Sequence, residues 1–396
     1  MMLKNVLSNI FSRNDNANPL AMAVSLESAQ GASDNAALDY MRHDAAENWR
    51  DSILERFYQC MHLRESDNFD AERFAGEDPG VFQIGYPVKY LKFFFLNFID
   101  LFDARTRLAD IASKDLLDRL ILFRLLSHHH VKVLDAPAEH WRLREEARSF
   151  QVGTLEEKGI LGQLGTFELP FEGERIRLDG WAMSVAMSFL IGQYYFDRGG
   201  VVVKPRRGDH LIDAGACFGD TALAFAATAG PDGRVYAFDM VPTHCRIIRR
   251  NLDMNPSLSR RIVLLPCGVS AVDRNVGMTP DEDIGINPAA HLDFAKYPVR
   301  RIDSLVDEGV VQRVDFIKMD IEGSELDALC GAEESLRRWR PRLAISLYHR
   351  PEDYFSIIRY LSMLDLGYRF FLDHYTIHSE ETVLYATTET NADRPE

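Results

Sequence analysis

The stretch His210-Leu-Ile-Asp-Ala-Gly-Ala-Cys-Phe-Gly-Asp220 decides how the second half of this 396-residue chain folds. A short apolar run ends in an acid, and glycines follow at positions 215 and 219 before a helical pattern begins at Thr221. Gly215 lets the backbone approach a ligand with no Cβ in the way, and Gly219 lets the next helix pack close to the strand. The stretch therefore predicts a strand, a ligand-binding turn and a helix.

Strand-like and helix-like runs alternate on both sides of this turn. Strands are predicted at 210–214, 234–239, 261–265, 314–320, 343–347, 368–373 and 382–387, and helices at 221–229, 242–255, 324–340 and 351–366. Such alternation is typical of a parallel sheet with helices on both faces. The last strand follows a short loop, so it is expected to run antiparallel. The sequence thus predicts an α/β fold with a Rossmann-like, doubly wound, mostly parallel seven-stranded sheet.

The first half of the chain follows a helical rhythm instead. Apolar residues recur at helical spacing, whereas 166–180 alternates apolar and polar residues as a β-hairpin does, and a helix is predicted at 181–196. We predict a flexible tail at 1–38, a mostly helical accessory region at 39–200 that ends in the hairpin and helix, the α/β domain at 201–390, and a short tail at 391–396.

Composition excludes several classes of function. The chain has 60 acidic and 45 basic residues and a net charge of -15, which disfavours nucleic acid and anionic lipid as partners. None of its five cysteines lies in a C-x-x-C pair, so neither a zinc knuckle nor a redox dithiol is indicated. The N-terminus has no uninterrupted apolar segment of the secretory type. We expect a cytoplasmic protein without integral membrane association.

Acidic residues flank the turn and end the next strand. Asp213 and Asp220 beside a helix N-terminus make a poor pyrophosphate site but suit a cationic amine, such as the methionine end of S-adenosylmethionine. Asp239 lies 20 residues past Gly219, where a carboxylate can bind both hydroxyls of a ribose. The spacing D-x-G-x-x-x-G differs from the dinucleotide-binding G-x-G-x-x-G, which argues against a nicotinamide dehydrogenase.

Asp320 and Glu322 end the strand at 314–320. The C-terminal ends of parallel strands face the ligand crevice, so these carboxylates can orient the cofactor amine or an acceptor hydroxyl, or hold a divalent cation. Two carboxylates are a weak metal signal, and no metal is predicted. Glu325 and Asp327 lie in the first turn of the next helix, where capping and the helix dipole explain them without a function.

Three motifs, in this order, resemble one family. They are Asp213-x-Gly-x-x-x-Gly-Asp-Thr221, Lys318-x-Asp-x-Glu-Gly-x-Glu325 and Glu381-Thr-Val-Leu-Tyr385-Ala. Together they are similar to the FkbM-type S-adenosylmethionine-dependent methyltransferases over about residues 200–388. The resemblance implies a class I methyltransferase sheet, S-adenosylmethionine as cofactor, and O-methylation of a hydroxyl on a saccharide or secondary metabolite.

The resemblance also implies roles for residues. Asp213, Gly215 and Gly219 would bind the methionine end, Asp239 would bind the ribose, and Asp320 and Glu322 would lie beside the reacting centre. The helical region would help form the acceptor pocket or a homodimer. The alternative from another class is a non-catalytic binding or scaffold protein that retains the nucleoside-binding fold.

Two histidines are candidate general bases for such a transfer. His349 follows the fifth predicted strand and His374 follows the sixth, and a neutral imidazole has a suitable pKa for removing a hydroxyl proton. The alternative for each is a hydrogen-bonded or exposed loop histidine without a catalytic role.

Overall fold

The computed structural model describes residues 32–63, 65, 68, 70, 86–159, 162–277 and 296–389. The predicted tail at 391–396 and residues 1–31 of the other predicted tail lie outside these residues. Residues 32–38 were also assigned to that tail, but they belong to the first helix.

Twelve α-helices and one π-helical turn occur in the described part of the chain. The α-helices are α1 (Ala32–Cys60), α2 (Tyr86–Arg107), α3 (Ile111–Leu126), α4 (Pro137–Ser149), α5 (Ala182–Val185), α6 (Asp220–Ala229), α7 (Pro242–Met254), α8 (Pro256–Ser259), α9 (Ile302–Asp307), α10 (Glu325–Cys330), α11 (Glu333–Trp339) and α12 (Asp353–Met363), and the π-helix is Ala186–Ile191. None of the described helices combines the length and the apolar character needed to cross a membrane.

The strands form one large sheet and three small ones. They are β1 (Gln151–Gly159), β2 (Gly162–Phe171), β3 (Glu174–Gly180), β4 (Phe196–Arg198), β5 (Val201–Val203), β6 (His210–Ala214), β7 (Arg234–Phe238), β8 (Ile262–Leu265), β9 (Gly268–Val269), β10 (Arg274–Gly277), β11 (Lys296–Arg300), β12 (Phe316–Met319), β13 (Arg342–Ser346), β14 (Arg369–His374) and β15 (Thr382–Thr387).

The large sheet has seven strands in the order β14-β15-β13-β12-β6-β7-β8. All neighbours pair in parallel except β15, which runs antiparallel to both β13 and β14. The predicted mostly parallel, seven-stranded sheet with an antiparallel closing strand is therefore confirmed. From β6 the chain adds β7 and β8 on one side and later returns to place β12 on the other. This reversal of strand order opens the ligand crevice of a doubly wound sheet at the ends of β6 and β12.

Close approach between backbones breaks one predicted element. The helix predicted at 324–340 is two helices, α10 and α11, that are separated at Gly331. A Cβ at Gly331 would lie 2.0 Å from the carbonyl oxygen of Ser270, so the chain turns there to pass over that loop. The helical spacing of apolar residues in the sequence does not reveal such a contact between distant segments.

The segment before the large sheet also differs from its prediction. The predicted hairpin at 166–180 is present as β2 and β3, and β1 adds a third antiparallel strand to it. The helix predicted at 181–196 ends at Ile191, where Gly192 adopts a left-handed conformation. Gly199 and Gly200 form the turn between β4 and β5, so the predicted domain boundary falls inside a hairpin. The division of the chain into domains stays a prediction.

The first helices share a hydrophobic core with the large sheet. Trp49 of α1, Phe94 of α2 and Leu117 of α3 are buried in one cluster with Ile317 of β12 and Leu372 of β14. Polar contacts cross the same boundary, since the Arg198 guanidinium donates to the side chains of Asp110 and Ser113 and to the Leu372 carbonyl. The helices are thereby held against the half of the sheet that contains β12 to β15.

Candidate active site

The glycine turn after β6 is in backbone contact with the loop after β12. Gly215 has φ +77°, and a Cβ there would lie 1.9 Å from the carbonyl oxygen of Asp320. Only glycine satisfies both conditions, because a side chain would strain the backbone and collide with the neighbouring loop. Gly219 has φ +82°, a conformation that favours glycine, and a Cβ there would make only an ordinary contact of 3.4 Å with Ile248 of α7.

Asp213 lies beneath the turn and has no exposed surface. Its Oδ2 accepts a hydrogen bond of 2.7 Å from the Thr221 hydroxyl, and its Oδ1 lies 3.1 Å from the Lys318 ammonium. Lys318 is buried too, and it donates to the carbonyls of Ala214 at 3.1 Å and Gly215 at 2.6 Å. In this structure Asp213 therefore holds the turn in place. Its side chain has no surface exposed to a ligand, although a contact with the cofactor was predicted for it.

Asp220 is buried at the start of α6. The Ser188 hydroxyl, from the π-helical turn, donates to its carboxylate. Burial raises the pKa of Asp220 to about 6, although this hydrogen bond and the nearby Lys318 charge oppose the shift. Asp220 thus links the glycine turn to the segment that precedes the sheet.

Asp239 follows β7 and joins two loops of the crevice. Its Oδ2 accepts the backbone N–H of Cys217 at 2.9 Å, and its Oδ1 accepts that of Val241 at 2.9 Å. The His244 ring lies 3.1 Å away through Nδ1. The carboxylate is fixed beside the glycine turn, at the end of the strand next to β6.

Asp320 lies at the end of β12 and is held by two tyrosines. The Tyr348 hydroxyl donates to its Oδ1 at 2.8 Å, and the Tyr194 hydroxyl donates to its Oδ2 at 3.1 Å. Burial alone would raise the pKa of Asp320, but the charges of His349 and Lys318 and the two hydroxyls outweigh it and hold the pKa below its ordinary value. Asp320 is therefore an ionised carboxylate at neutral pH.

His349 lies between three carboxylates. Its Nδ1 is 2.9 Å from Oε1 of Glu325, whereas its Nε2 is 3.3 Å from Oε2 of Glu322 and 3.4 Å from Oδ1 of Asp320. Burial would lower the pKa of His349, but the carboxylates overcome it and raise the pKa to about 9. The ring carries a proton at neutral pH, which corrects the prediction of a neutral imidazole.

Glu322 has a strained backbone, with φ +57° in the left-handed region. Residues other than glycine adopt this conformation rarely, and such strain is concentrated at functional sites. Its side chain is half exposed. Partial burial and the charges of Asp320 and Glu325 raise the pKa of Glu322 to about 7, against the opposing effect of His349. Glu322 can therefore exchange a proton with solvent near neutral pH.

His374 is remote from this group. It is the last residue of β14, and β15 and β13 separate that strand from β12. Its ring is buried, with Nδ1 2.8 Å from the Thr382 hydroxyl, and burial lowers its pKa to about 3. His374 thus lies apart from the group around His349, and its role as general base stays a prediction.

Asp320, Glu325 and His349 have ligand-type atoms within 4.8 Å of one another, as a metal site requires. However, the two acids face different nitrogens of the ring. An ion bound at Nε2 would lie beside Asp320, whereas Glu325 lies next to the other ring nitrogen, Nδ1. This arrangement favours a histidine bridged by acids over a metal centre.

Sequence reasoning missed four residues of the site. Lys318 had a signal, since it is the only charged residue in an apolar strand. Glu325 was explained as a capping residue. Tyr194 and Tyr348 carry no signal in the sequence, because their role depends on loops that meet only in the folded chain.

Part of this chain is similar to known methyltransferases. Residues 213–370 match the methyltransferase FkbM domain. The methyltransferase sdnD of Sordaria araneosa is 24% identical over 201 residues, which are 41% of this chain and 75% of that protein. The structure of methyltransferase FkbM from Methylobacillus flagellatus KT is 22% identical, with a TM-score of 0.49, and the match covers 76% of this chain.

That match spans 62% of the Methylobacillus chain, less than two thirds of its length. Fibrillarin from Aeropyrum pernix, solved in complex with natively bound S-adenosyl-L-methionine, is 14% identical, with a TM-score of 0.32, over 59% of this chain and 97% of its own. The matched segment begins at the acid of the glycine turn and contains the ends of β6, β7, β12 and β13. Within this chain, the similarity to the methyltransferase FkbM domain is thus confined to residues 213–370, which hold the glycine turn, Asp239, Asp320 and His349.

Proposed function

We propose that this chain is a methyltransferase of the FkbM type, and that it transfers a methyl group from S-adenosylmethionine to a hydroxyl of a saccharide or secondary metabolite. The observation that carries the proposal is the contact between the glycine turn and the acid-bearing end of β12. A backbone surface without side chains lies there beside an ionised carboxylate and a histidine. This combination suits a cationic cofactor that must react with a neighbouring hydroxyl.

The residues of the crevice fit S-adenosylmethionine. When bound, this cofactor supplies an activated methyl group on a positively charged sulfur. The ionised Asp320 would bind the amine, and Asp239, at the end of the next strand, would bind the ribose hydroxyls. Gly215 brings the turn against the backbone of Asp320, whereas Asp213 and Lys318 hold the turn from below.

Catalysis then requires alignment of the two reactants and removal of the acceptor proton. His349 directs Nε2 to the same strand end as Asp320 and would accept that proton when its ring is neutral. Because the pKa of His349 is raised to about 9, turnover is expected to rise with pH through the neutral range. The half-exposed Glu322 would pass the proton on to solvent.

The helical region supports a role in acceptor binding. Arg124 of α3 donates to the backbone carbonyl of Tyr348 at 3.1 Å, next to His349. Tyr90 and Phe93 of α2 line a small cavity together with Arg124 and Pro351. The α2 and α3 helices therefore lie against the loop that carries His349. An acceptor bound beside this loop would be enclosed by the two helices.

Calorimetric titration of the full chain tests the cofactor assignment. We expect S-adenosylmethionine and S-adenosylhomocysteine to bind with micromolar affinity and NADH not to bind. Asp239→Asn is expected to weaken cofactor binding about tenfold, because it removes a charged acceptor for two hydroxyls. Asp253→Asn, an exposed change on α7, is the matched control.

Two results would contradict the proposal. Absence of binding by both cofactor forms would leave the non-catalytic binding protein as the better explanation. Equal affinity of the Asp239→Asn and Asp253→Asn variants would remove Asp239 from the ribose site. Once binding is established, hydroxylated saccharides are the first acceptors to screen.

A further inference from the structure

Glu325 contacts two segments outside its own helix. It lies in the first turn of α10, and its side chain has no exposed surface. Its Oε1 accepts the backbone N–H of Ile321, in the loop before the helix, at 2.8 Å. The same oxygen lies 2.9 Å from Nδ1 of His349, close enough for an ion pair with the protonated ring. A fully buried carboxylate is costly unless it is paired, so the pairing with His349 needs its own explanation.

The two nitrogens of His349 face different surroundings. Nδ1 faces α10 through Glu325, whereas Nε2 faces the crevice, where Asp320 lies at 3.4 Å and Glu322 at 3.3 Å. Because the partner of one ring nitrogen decides which nitrogen carries the proton, Glu325 selects the form of the neutral ring. With a proton on Nδ1, the lone pair of Nε2 is directed to the crevice.

We propose, building on the proposed O-methylation, that Glu325 is a positioning residue that keeps Nδ1 of His349 protonated and thereby presents a free Nε2 to the acceptor hydroxyl. Bound S-adenosylmethionine would supply the methyl group to the acceptor oxygen, and the electron pair of the broken carbon–sulfur bond would stay on sulfur. The hydroxyl proton goes to Nε2, and Glu325 stays ionised throughout. The imidazolium then releases the proton to water by way of Glu322.

Other charged groups also face His349. Asp320 and Glu322 approach from the loop after β12, with Lys318 behind Asp320. Asp353 of α12 also interacts electrostatically with His349, and its carboxylate accepts the backbone N–H of Arg350 at 3.0 Å. Among the described residues, Glu325 alone is placed against Nδ1. Asp320 and Glu322 therefore influence the charge of the ring, but Glu325 also controls its tautomer.

The test is nuclear magnetic resonance of the full chain with ¹⁵N-labelled histidine, without acceptor. His349→Asn identifies the His349 signals, and a titration through its pKa of about 9 yields both the pKa and the neutral tautomer. In the wild type we expect the proton of the neutral ring on Nδ1. Glu325→Ala should move it to Nε2. Glu325→Gln should keep it on Nδ1, because the amide oxygen still accepts, but should lower the pKa by about one unit or more.

Glu334→Gln, an exposed change of the same type in α11, is the matched control and should alter neither value. A wild-type tautomer protonated at Nε2, or a tautomer unchanged in Glu325→Ala, would overturn the inference. Because Glu325→Ala also leaves the Ile321 N–H unpaired, the pKa in Glu325→Gln provides a second test: an unchanged value there contradicts the pairing.

Calorimetry with S-adenosylmethionine on the same samples separates the two proposals. If the wild type does not bind it, the proposed function fails, whatever the tautomer is. If it binds but the His349 signals do not respond to Glu325, only the positioning role fails. Binding together with the predicted tautomer change supports both proposals.

Discussion

Gly215 shows how one residue can serve two loops at once. Its positive φ makes the turn after β6, and its missing Cβ admits the carbonyl oxygen of Asp320. The sequence motif predicted the turn. It also predicted a ligand next to Gly215, at the position where the structure has the backbone of Asp320. Gly215 therefore brings the loops after β6 and β12 together.

Gly215→Ala is expected to abolish S-adenosylmethionine binding and to lower the free energy of unfolding. The collision of the new Cβ with the Asp320 carbonyl should cost about 1–3 kcal/mol in displaced backbone. This cost adds to the penalty of a positive φ, which is about 1 kcal/mol or more. Chemical denaturation and calorimetry on the same preparation measure both effects.

Gly208→Ala is the control for Gly215→Ala. Gly208 has φ +80°, but a Cβ there would meet no atom within 4 Å. It should therefore show the conformational penalty alone and keep cofactor binding. Equal losses in the two variants would mean that the contact with Asp320 is unimportant.

The buried pair of Lys318 and Asp213 makes a second prediction at this scale. Lys318→Met leaves a carboxylate without its counter-charge beneath the turn, so we expect a loss of about 3–5 kcal/mol in the free energy of unfolding. Adding Asp213→Asn removes the unpaired charge, and the double variant should regain part of the loss. Urea denaturation of the two single variants and the double variant tests this. Simple addition of the two single losses would show that the residues are not coupled.

At the scale of elements, His374 on β14 makes the stability of the chain depend on pH. Its pKa is lowered to about 3 in the folded chain, while an unfolded histidine titrates near 6.5. The unfolded chain therefore binds an extra proton between these values, and the contribution of this group to stability falls as pH drops below 6.5. Between pH 7 and pH 5 the loss from this one group is about 2 kcal/mol.

The pH dependence of stability must be compared between the wild type and His374→Asn. This is because three carboxyl groups, those of Asp220, Glu322 and Asp353, make the folded chain more stable as pH falls, which opposes the effect of His374. Burial or neighbouring acids raise the pKa of each of these carboxyls, so they favour the folded chain as pH falls. The advantage of the wild type over His374→Asn should shrink by about 2 kcal/mol from pH 7 to pH 5. A constant difference in the free energy of unfolding would show that His374 becomes protonated within the fold.

Elements with a strong local pattern were the most predictable. The bounds of β6 and β15 agree with their predictions, and α6 begins one residue earlier than predicted. The break at Gly331 was not predictable, because it arises from contact with the distant Ser270. The π-helical turn after Val185 was not predicted either. Among the site residues, Asp239 and Asp320 could be found because parallel strands end at one edge. Tyr194, Tyr348 and the pairing of Glu325 with His349 depend on tertiary structure.

At the scale of the whole molecule, the helical first half and the sheet are more closely joined than the sequence indicated. Helical spacing identifies an apolar face, but it does not say which surface that face will cover. In the structure α3 packs on β14, and its Arg124 reaches the carbonyl of Tyr348 beside the site. A change in these helices can therefore alter the loop that carries His349 without touching the cofactor crevice.

The pairing of β6 with β12 has a consequence for how the chain acquires its activity. The two strands are neighbours in the sheet, with Phe316 beside Leu211, although about a hundred residues of chain lie between them. Their loops build the crevice jointly, so a nascent chain that has folded β6, β7 and β8 has the glycine turn but no opposing wall. If the proposed cofactor binds in this crevice, its capture is a late event in folding, and it reports that β6 and β12 have paired. A ligand that recognises only this finished state also draws the folding equilibrium towards it, so the concentration of cofactor in the cell would help determine how much of the chain is folded.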